Sequence, residues 1–343
     1  MIYFFLFVIV LLLIGGYLFI NSGPKLPADI NSIISQLQQA PIPDFITGET
    51  GKAINNGITI GYELIKNNGQ NKGTIILIGG HSQILLDWPA YFYQPLVDAG
   101  YQVIRFDNRG VGSSDWMEDW TKKNAYTLED MATDVIAILN RLSIPKAHVI
   151  GVSMGGMIAQ RLAISHAGRV LSLTSIMSTG YYYDPELPGL PKGFYSKLIA
   201  VSLKYPVYNK NERNQLKLNL AIRHLLDGAG DYPIETKFIL QRALYELRKR
   251  RGYNAKVMNQ HSMAVQKSGS RYDELGQIEV PTLVIHGTTD PLVKFEHAQK
   301  YASMIPNATT LFIEGMGHDL PRIHAPKMIT SILKNIEKAV LVN

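Results

Sequence analysis

The sequence predicts an α/β fold built on a mostly parallel β-sheet. Short apolar runs rich in Ile, Val and Leu alternate with amphipathic segments from residue 58 to residue 180, and again from residue 282. Such alternation is typical of βαβ units. A serine flanked by glycines stands where one apolar run passes into an amphipathic one, in Gly151-Val152-Ser153-Met154-Gly155. The alternation stops between residues 180 and 281, which predicts an insertion of different architecture.

The individual elements follow from periodicity and from residues that start or stop them. Lys66-Asn67-Asn68-Gly69 is a turn signal between two apolar runs, and Gly100 ends an apolar-periodic stretch. Thr127-Leu128-Glu129-Asp130 is a capping box before a helix. The predicted strands are 58–65, 73–78, 102–106, 147–152, 170–176, 282–285 and 310–313, and the predicted helices of the body are 91–99, 131–142 and 154–165.

The inserted region, residues 180–275, is rich in predicted helix, proline and basic residues. Helical stretches cover 194–203, 212–226 and 235–248, and the region holds 16 Lys and Arg against 9 Asp and Glu. Its sharpest cluster, Arg248-Lys249-Arg250-Arg251, fits either a solvated helix end or a contact with anionic lipid. Nucleic-acid binding is not expected, because no recognisable nucleic-acid fold accompanies the charge. The tyrosines of the region either line an apolar pocket or belong to its core.

Composition suits a globular enzyme. The chain has 343 residues, of which 46% are hydrophobic and 18% charged, with a formal net charge of +6. It has no cysteine, so it has no disulfide, no cysteine zinc site and no thiol nucleophile. A His-Glu-x-x-His motif, a P-loop and a Gly-x-Gly-x-x-Gly fingerprint are all missing from the sequence. We therefore expect no metal and no organic cofactor.

The first twenty residues contain no charged side chain. As a helix they would reach ~30 Å, the thickness of the hydrocarbon core of a bilayer. A signal peptide is the alternative, but no basic residue precedes the run and no Ala-x-Ala-like cleavage site follows it. We expect an uncleaved transmembrane anchor over 1–20 with the catalytic domain outside the cytoplasm. Residues 21–56, with several prolines and one short helix at 28–39, are expected to be a tether.

Ser153 is the candidate nucleophile. A serine at a sharp strand-to-helix turn has its hydroxyl held out of the sheet, and the helix that starts there points free backbone N–H groups at the same place. The small flanking residues are those that a tight, strained turn requires. The alternative is a glycine-rich turn in which the serine only caps the helix.

Asp290 and His318 are the candidate acid and base that would activate Ser153. Asp290 follows the predicted strand 282–285, and His318 lies in a glycine-flanked turn after 310–313. Open α/β sheets place active sites at this edge, and the chain order serine, acid, histidine is the one expected for a nucleophile elbow. Taken singly, Asp290 also fits a helix cap and His318 a surface histidine. His286 is a rival base, but it precedes the acid.

Two backbone N–H groups are candidates for the oxyanion hole. One belongs to Met154, directly after the nucleophile, and the other to His81 in the loop Gly79-Gly80-His81-Ser82-Gln83. Paired glycines let this backbone approach a substrate carbonyl closely. An ordinary glycine turn explains the loop equally well.

Together these pieces resemble the α/β-hydrolase family. The resemblance implies an eight-stranded, mostly parallel sheet with helices on both faces and a helical cap inserted after the sixth strand. It divides the body into a core of 57–179 and 276–343 and a cap of 180–275. The matching segments are Leu77 to Trp88, Phe106-Asp107-Asn108-Arg109-Gly110-Val111-Gly112-Ser113-Ser114, Gly151 to Gly156, His286 to Val293 and Gly315 to His318.

The resemblance also assigns Asp107 and Arg109 to a structural turn beside the site. The chain departs from many relatives by carrying Gly79-Gly80 where they have His-Gly, which leaves open how the oxyanion loop is braced. Ser153 at the elbow separates the chain from the dehalogenase and epoxide-hydrolase branches, which use aspartate there.

The function expected from the resemblance and the triad is that of a serine hydrolase of carboxylic esters, lipophilic ones being favoured by the predicted anchor and the tyrosine-rich cap. An acyltransferase would use the same residues with an alcohol or amine acceptor. A ligand-binding protein of the same fold that turns its ligand over poorly is the third alternative. The expected partners are a small-molecule or lipid ester and the membrane.

Overall fold

The computed structural model describes residues 12–207, 211–230 and 232–342. Its strands are β1 (Glu49–Asn55), β2 (Ile58–Ile65), β3 (Thr74–Ile78), β4 (Gln102–Phe106), β5 (Ala147–Val152), β6 (Val170–Ile176), β7 (Thr282–Gly287) and β8 (Thr309–Ile313). After a helical segment at residues 12–20, the helices are α1 (Ile30–Gln39), α2 (Ala90–Asp98), α3 (Leu128–Arg141), α4 (Met154–Ser165), α5 (Phe194–Lys204), α6 (Glu212–Leu226), α7 (Thr236–Lys249), α8 (Val257–Ser268), α9 (Tyr272–Leu275), α10 (Phe295–Met304) and α11 (Ala325–Val342).

The strands form one eight-stranded sheet in the order β1-β2-β4-β3-β5-β6-β7-β8. The pairs β1–β2 and β2–β4 are antiparallel, and every other pair is parallel. This confirms the expected eight-stranded, mostly parallel sheet. Because β3 to β8 all run in one direction, the loops that follow them meet at one edge of the sheet. The residues predicted to do chemistry follow β3, β5, β7 and β8.

Helices cover both faces of the sheet, because successive residues of the buried strands point to opposite sides. In β3, Ile76 and Ile78 pack into the core on one face, which is shared with α3, α4 and α10. Ile75 and Leu77 pack on the other face against α2 and α11. Strands that are apolar on both sides are what a sheet buried between two helical layers requires.

The region between β6 and β7 holds α5 to α9. Part of the segment that we expected to be a tether, 21–56, packs against this region instead of linking loosely. Ile30, Ile34 and Leu37 of α1 are buried against leucines of α6 and α7. The same segment also contains β1, one of the two edge strands of the sheet.

The predicted transmembrane anchor is wrong. No helix in the described ranges, residues 12–207, 211–230 and 232–342, is long and apolar enough to cross a membrane. The part of the predicted anchor within these ranges is helical over residues 12–20. Residues 1–11 of that prediction lie outside the described residues. The predicted membrane location rested on this helix and is corrected with it.

Candidate active site

Ser153 occupies the turn between β5 and α4. The strand ends at Val152 and the helix begins at Met154, so one residue makes the whole connection. Ser153 has φ 56° and ψ −122°, a conformation that costs a non-glycine residue about 1–3 kcal/mol. Strain of this kind persists only where the surroundings impose it, and here a buried strand and a buried helix fix the two sides of the residue.

The glycines near Ser153 are required by close contacts between backbones. A Cβ at Gly151 would lie 2.1 Å from the carbonyl oxygen of Gly155, and a Cβ at Gly155 would lie 2.1 Å from the carbonyl oxygen of Ile78. A backbone atom cannot move aside as the end of a flexible side chain can. Strand β3, strand β5 and helix α4 therefore meet at a separation that only glycine allows, which explains the Gly-x-Ser-x-Gly pattern.

The backbone of Ser153 is held on both sides, while its hydroxyl is not engaged. The N–H of Ser153 donates to the carbonyl oxygen of Ile176 at 2.8 Å, and its carbonyl oxygen accepts from Ser178 Oγ at 2.8 Å. The side chain forms no capping hydrogen bond with α4, so the alternative of a helix-capping serine is not what the structure forms. Within the part of the chain that is described, no side chain holds the Ser153 hydroxyl away from a substrate.

Asp290 and His318 are directly paired. Asp290 follows β7 and His318 follows β8, and Asp290 Oδ2 lies 2.7 Å from His318 Nδ1. The other carboxylate oxygen, Oδ1, accepts the backbone N–H groups of Leu292 and Val293 at 2.8 and 2.9 Å. Both side chains are buried. The two amides fix the carboxylate, and the carboxylate in turn fixes the orientation of the imidazole.

The charge state of Asp290 is set by two opposing effects. Burial raises the pKa of its carboxyl, but the charge and hydrogen bond of His318, with smaller contributions from His286 and the Val293 amide, more than offset this. The pKa of Asp290 is therefore held below its ordinary value of 3.8. The carboxylate is ionised at neutral pH and acts as an acceptor for the imidazole N–H.

Ser153 lies at the same edge of the sheet as the Asp290–His318 pair, because β5, β7 and β8 are parallel. The structure does not join Ser153 to His318 by a hydrogen bond among the residues that it describes. Asp290 and His318 are thus brought together, and Ser153 lies at the same edge of the sheet, where its hydroxyl forms no hydrogen bond with any residue that the structure describes.

The loop of residues 79–83, the oxyanion loop, packs directly on Ser153. A Cβ at Gly80 would lie 3.0 Å from Ser153 Cβ. Met154 is the first residue of α4, so its N–H has no carbonyl partner inside the helix. In the described structure the N–H of His81 likewise donates to no other backbone carbonyl. Both predicted oxyanion donors therefore belong to segments that adjoin the serine.

The inserted region packs against the loop that carries His318. This cap loop, residues 226–232 with residue 231 outside the description, follows α6. The carbonyl oxygen of Leu226 accepts the His318 N–H at 2.8 Å, and the Gly230 N–H donates to the carbonyl oxygen of Gly315 at 2.8 Å. The backbone of the histidine loop is therefore held in part by residues that are distant in the sequence.

His286, the rival base, contacts the acid. Its ring is fully buried, and Nε2 lies 2.8 Å from the carbonyl oxygen of Val293 and 3.5 Å from Asp290 Oδ2. Because a carbonyl can only accept, Nε2 carries the proton. Burial, the largest effect, lowers the pKa of His286 below its ordinary value. In the described ranges this neutral ring packs beside Asp290, where it supports the carboxylate, and it forms no hydrogen bond with Ser153.

Asp107 and Arg109 have structural partners. Asp107 accepts the N–H of Leu85 at 2.8 Å, and it accepts the N–H and Oγ–H of Ser113 at 2.9 and 2.8 Å. Arg109 Nε donates to Asp134 at 2.7 Å. These bonds occupy both side chains and close the turn after β4.

The arginines of the basic cluster are used inside the protein. Arg248 Nε pairs with Glu212 at 2.6 Å, and Arg250 pairs with Asp107. The guanidinium carbon of Arg251 lies 4.3 Å from the centre of a tryptophan ring. These three side chains are therefore not a free basic surface for anionic lipid. Arg250 instead connects α7 to the turn after β4.

The inserted region makes contacts with both loops of the site that the sequence did not predict. The cap loop contains two glycines, Gly228 and Gly230, which are a signal for close backbone approach. His261 of α8 also bonds the oxyanion loop. Its only sequence signal is its place on the buried face of α8 with Val257 and Ala264, a pattern that equally fits a core histidine.

With this geometry in place, comparisons with known proteins identify the family. A sequence model of the alpha/beta hydrolase fold matches residues 73–321. The rhodomycin D methylesterase DauP of Streptomyces sp. (strain C5) is 30% identical over 268 residues, which cover 74% of this chain and 87% of that protein. The 3-oxoadipate enol-lactonase 1 of Acinetobacter baylyi is 31% identical over 206 residues, which cover 58% of this chain and 66% of that protein.

Solved structures agree on the fold. A bacterial membrane phospholipase A matches with a TM-score of 0.62 at 20% identity, over 98% of this chain and 99% of that one. At that identity the likeness shows the fold alone. The two sequence relatives described above are hydrolases, and one of them is a methylesterase. They support a hydrolase activity for this chain. The chain belongs to the α/β hydrolase fold family.

Proposed function

We propose that this protein hydrolyses carboxylic esters through an acyl-enzyme formed on Ser153. The observation that carries the proposal is the 2.7 Å bond between Asp290 Oδ2 and His318 Nδ1, at the sheet edge where an unbonded serine hydroxyl stands in a strained turn. An imidazole whose Nδ1–H is donated to a carboxylate has its Nε2 free to take a proton. This is the state that a general base for a serine needs.

In the first half of the reaction, Ser153 Oγ attacks the ester carbonyl while its proton passes to His318 Nε2. Asp290 stabilises the imidazolium that forms. The negative charge on the former carbonyl oxygen is accepted by the N–H groups of His81 and Met154. When the tetrahedral species collapses, His318 gives the proton to the departing alcohol, and the acyl group stays on Ser153.

In the second half, water takes the place of the alcohol. His318 removes a proton from the water as the oxygen of the water attacks the acyl-enzyme. His318 then gives this proton to Ser153 Oγ when the carboxylic acid leaves. Both halves require Ser153 Oγ to come within hydrogen-bond distance of His318, and such bonds often tighten only when substrate is bound.

The substrate we propose is an ester of a small alcohol with an apolar acyl group. The small alcohol is suggested by the methylesterase at 30% identity. The apolar acyl group is suggested by the tyrosines of the insertion, since Tyr182 is partly buried against the core and lies near enough to Asp290 for that charge to act on its pKa.

Labelling with a fluorophosphonate probe tests the nucleophile. Wild type is expected to react, Ser153→Ala is not, and Ser165→Ala, at the other end of the same helix, is the matched control that reacts normally. His318→Ala is expected to lose ester turnover by a factor on the order of 10⁴ or more, about as much as Ser153→Ala, because the triad acts as a unit. A His318→Ala variant with near-normal turnover contradicts the base assignment.

Products and chain length test the substrate. With p-nitrophenyl esters of increasing acyl length, we expect kcat/KM to rise beyond acetate, and a flat profile contradicts the apolar acyl group. Added alcohols or amines should not divert the acyl group. If they do, the protein is an acyltransferase, and if wild type neither labels nor turns over, it is a ligand-binding member of the family.

A further inference from the structure

Helix α8 of the insertion is hydrogen-bonded to the oxyanion loop. His81 Nε2 lies 3.1 Å from the carbonyl oxygen of Met258 and 3.0 Å from Ser262 Oγ. The next residue of the loop, Ser82, donates its backbone N–H to His261 Nδ1 at 2.9 Å. Met258, His261 and Ser262 are spaced by three and four positions, so they share one face of the helix.

The ring of His261 is fixed in one tautomer. Its Nε2 lies 2.8 Å from the carbonyl oxygen of Arg109. Because a carbonyl only accepts, Nε2 carries the hydrogen, and Nδ1 is left as the acceptor that the Ser82 N–H requires. The ring is fully buried. Burial, helped by the neighbouring His81 and only partly offset by the hydrogen bond to the Arg109 carbonyl, lowers the pKa of His261 to about 3, so the acceptor is present throughout the neutral range.

The bond to Ser82 controls a strained turn. Ser82 has φ 59°, a left-handed conformation that an L-residue leaves unless it is held. The turn is closed by the Gln83 N–H, which donates to the carbonyl oxygen of Gly80 at 3.2 Å, and by the Gly80 N–H, which donates to Gln83 Oε1 at 2.6 Å. His261 adds a further restraint to this turn through the Ser82 N–H.

These restraints decide where the His81 N–H points. Across the trans peptide between Gly80 and His81, the carbonyl and the N–H point in opposite directions. Since the Gly80 carbonyl oxygen is turned toward the Gln83 N–H, the His81 N–H is aimed away from the turn. If the Ser82 N–H lost its acceptor, the turn could relax and this peptide plane would rotate with it.

We infer that His261 is a positioning residue that keeps the His81 N–H aimed for oxyanion binding by accepting the Ser82 N–H. The inference rests on the proposed function, because it needs the oxyanion to form beside Ser153. It gives the insertion a part in catalysis that is separate from covering the site.

Two amide substitutions separate the bonds of the ring. In His261→Asn, the side-chain oxygen takes the place of Nδ1 and can accept from Ser82. In His261→Gln, the longer side chain reaches the place of Nε2, so it can donate to Arg109 but leaves the Ser82 N–H without its acceptor. The variants differ by one methylene and both stay polar. His148, a buried histidine of β5 paired with Ser172 Oγ at 2.9 Å, supplies the control pair His148→Asn and His148→Gln.

The measurements are kcat and KM for a p-nitrophenyl ester, the rate of fluorophosphonate labelling and the thermal midpoint. One oxyanion donor contributes about 10²–10³ in kcat. We expect His261→Gln to lose about 10- to 100-fold in kcat and in labelling rate with KM unchanged, and His261→Asn to stay within about fivefold of wild type. The His148 variants should keep wild-type kcat.

Each contrary result is distinct. Equal losses in the Asn and Gln variants overturn the inference, because the acceptor at the Nδ1 position would not matter. A raised KM at unchanged kcat, or losses matched by the His148 variants, overturn it as well. If wild type is neither labelled nor hydrolytic, the proposed function fails, and the role of His261 fails with it. If wild type is active and the Gln variant is unaffected, only the role of His261 is contradicted.

Discussion

The substitution Asp290→Asn tests the proposed mechanism most sharply, because the structure dictates which way the new amide must face. Oδ1 of Asp290 accepts two backbone N–H groups, from Leu292 and Val293. The NH2 group of an asparagine cannot face two donors, so its oxygen must take the place of Oδ1. The NH2 group is then directed at His318 Nδ1, where the carboxylate oxygen lay at 2.7 Å.

An NH2 group at that place reverses the tautomer of His318. Nδ1 becomes the acceptor, the proton moves to Nε2, and Nε2 can no longer take a proton from Ser153. A carboxylate-to-amide change that imposes the wrong tautomer costs about 10⁴ in kcat, or about 5.5 kcal/mol at ~1.36 kcal/mol per factor of ten. Stability should change little, by about 1 kcal/mol or less, because both backbone amides keep an acceptor.

Asp290→Ala is the informative comparison. It leaves the buried N–H of Val293 without a partner, at about 1–3 kcal/mol, together with the part-buried N–H of Leu292, so it should unfold at lower urea concentration than the Asn variant. The assays are kcat for a p-nitrophenyl ester and equilibrium unfolding in urea. We expect the Asn variant to be the more stable of the two and no more active. An Asn variant that keeps more than a tenth of wild-type kcat would refute the tautomer argument.

Two further predictions concern the insertion. A Cβ at Gly228 would lie 2.3 Å from the carbonyl oxygen of Gly315, so Gly228→Ala should displace the loop that carries His318 and lower kcat about tenfold or more. The control is Gly189→Ala, whose Cβ would meet nothing within 4 Å and which should keep wild-type kcat. Equal activities of the two variants would show that the cap loop does not position the base. Burial raises the pKa of Glu246 from 4.5 to about 7 although Arg250 pairs with it. Wild type should therefore lose up to about 3 kcal/mol of its free energy of unfolding as pH rises from about 4.5 to 7, and Glu246→Gln should not. If the free energy of unfolding in urea has the same pH dependence in both proteins, the prediction is contradicted.

The sheet was predictable where apolar runs are long and bounded by turn residues. The predicted strand 58–65 coincides with β2 and the predicted strand 170–176 with β6. Strand β1 was missed because its sequence, ETGKAIN, lies at the sheet edge and buries fully only Ala53, so it carries no period-two signal. The anchor was wrongly predicted because a run of uncharged residues shows apolarity alone, whereas a span requires a helix that is both long and apolar, and no helix in the described ranges is.

The elbow was predictable because steric exclusion at Gly151 and Gly155 restricts the sequence itself, and a restricted sequence is visible as a motif. The hydrogen bonds by which the insertion supports the oxyanion loop and the loop that carries His318 were not predictable from the sequence. The hydrogen bonds that His261 makes reach residues 179 and 152 positions away in the sequence. No local pattern records such pairs, and a buried histidine on an amphipathic helix is equally compatible with simple packing.

On the proposed mechanism, the insertion acts on two separate requirements of catalysis. Helix α8 bonds the loop that supplies an oxyanion donor, and the cap loop bonds the backbone of the loop that supplies the base. The nucleophile depends on neither, since Ser153 is held by the strands and the helix of the core. Substitutions in the insertion that break these contacts should therefore lower kcat while the serine stays in its strained turn. A loss confined to KM in all of them would mean that the insertion only shapes the binding site.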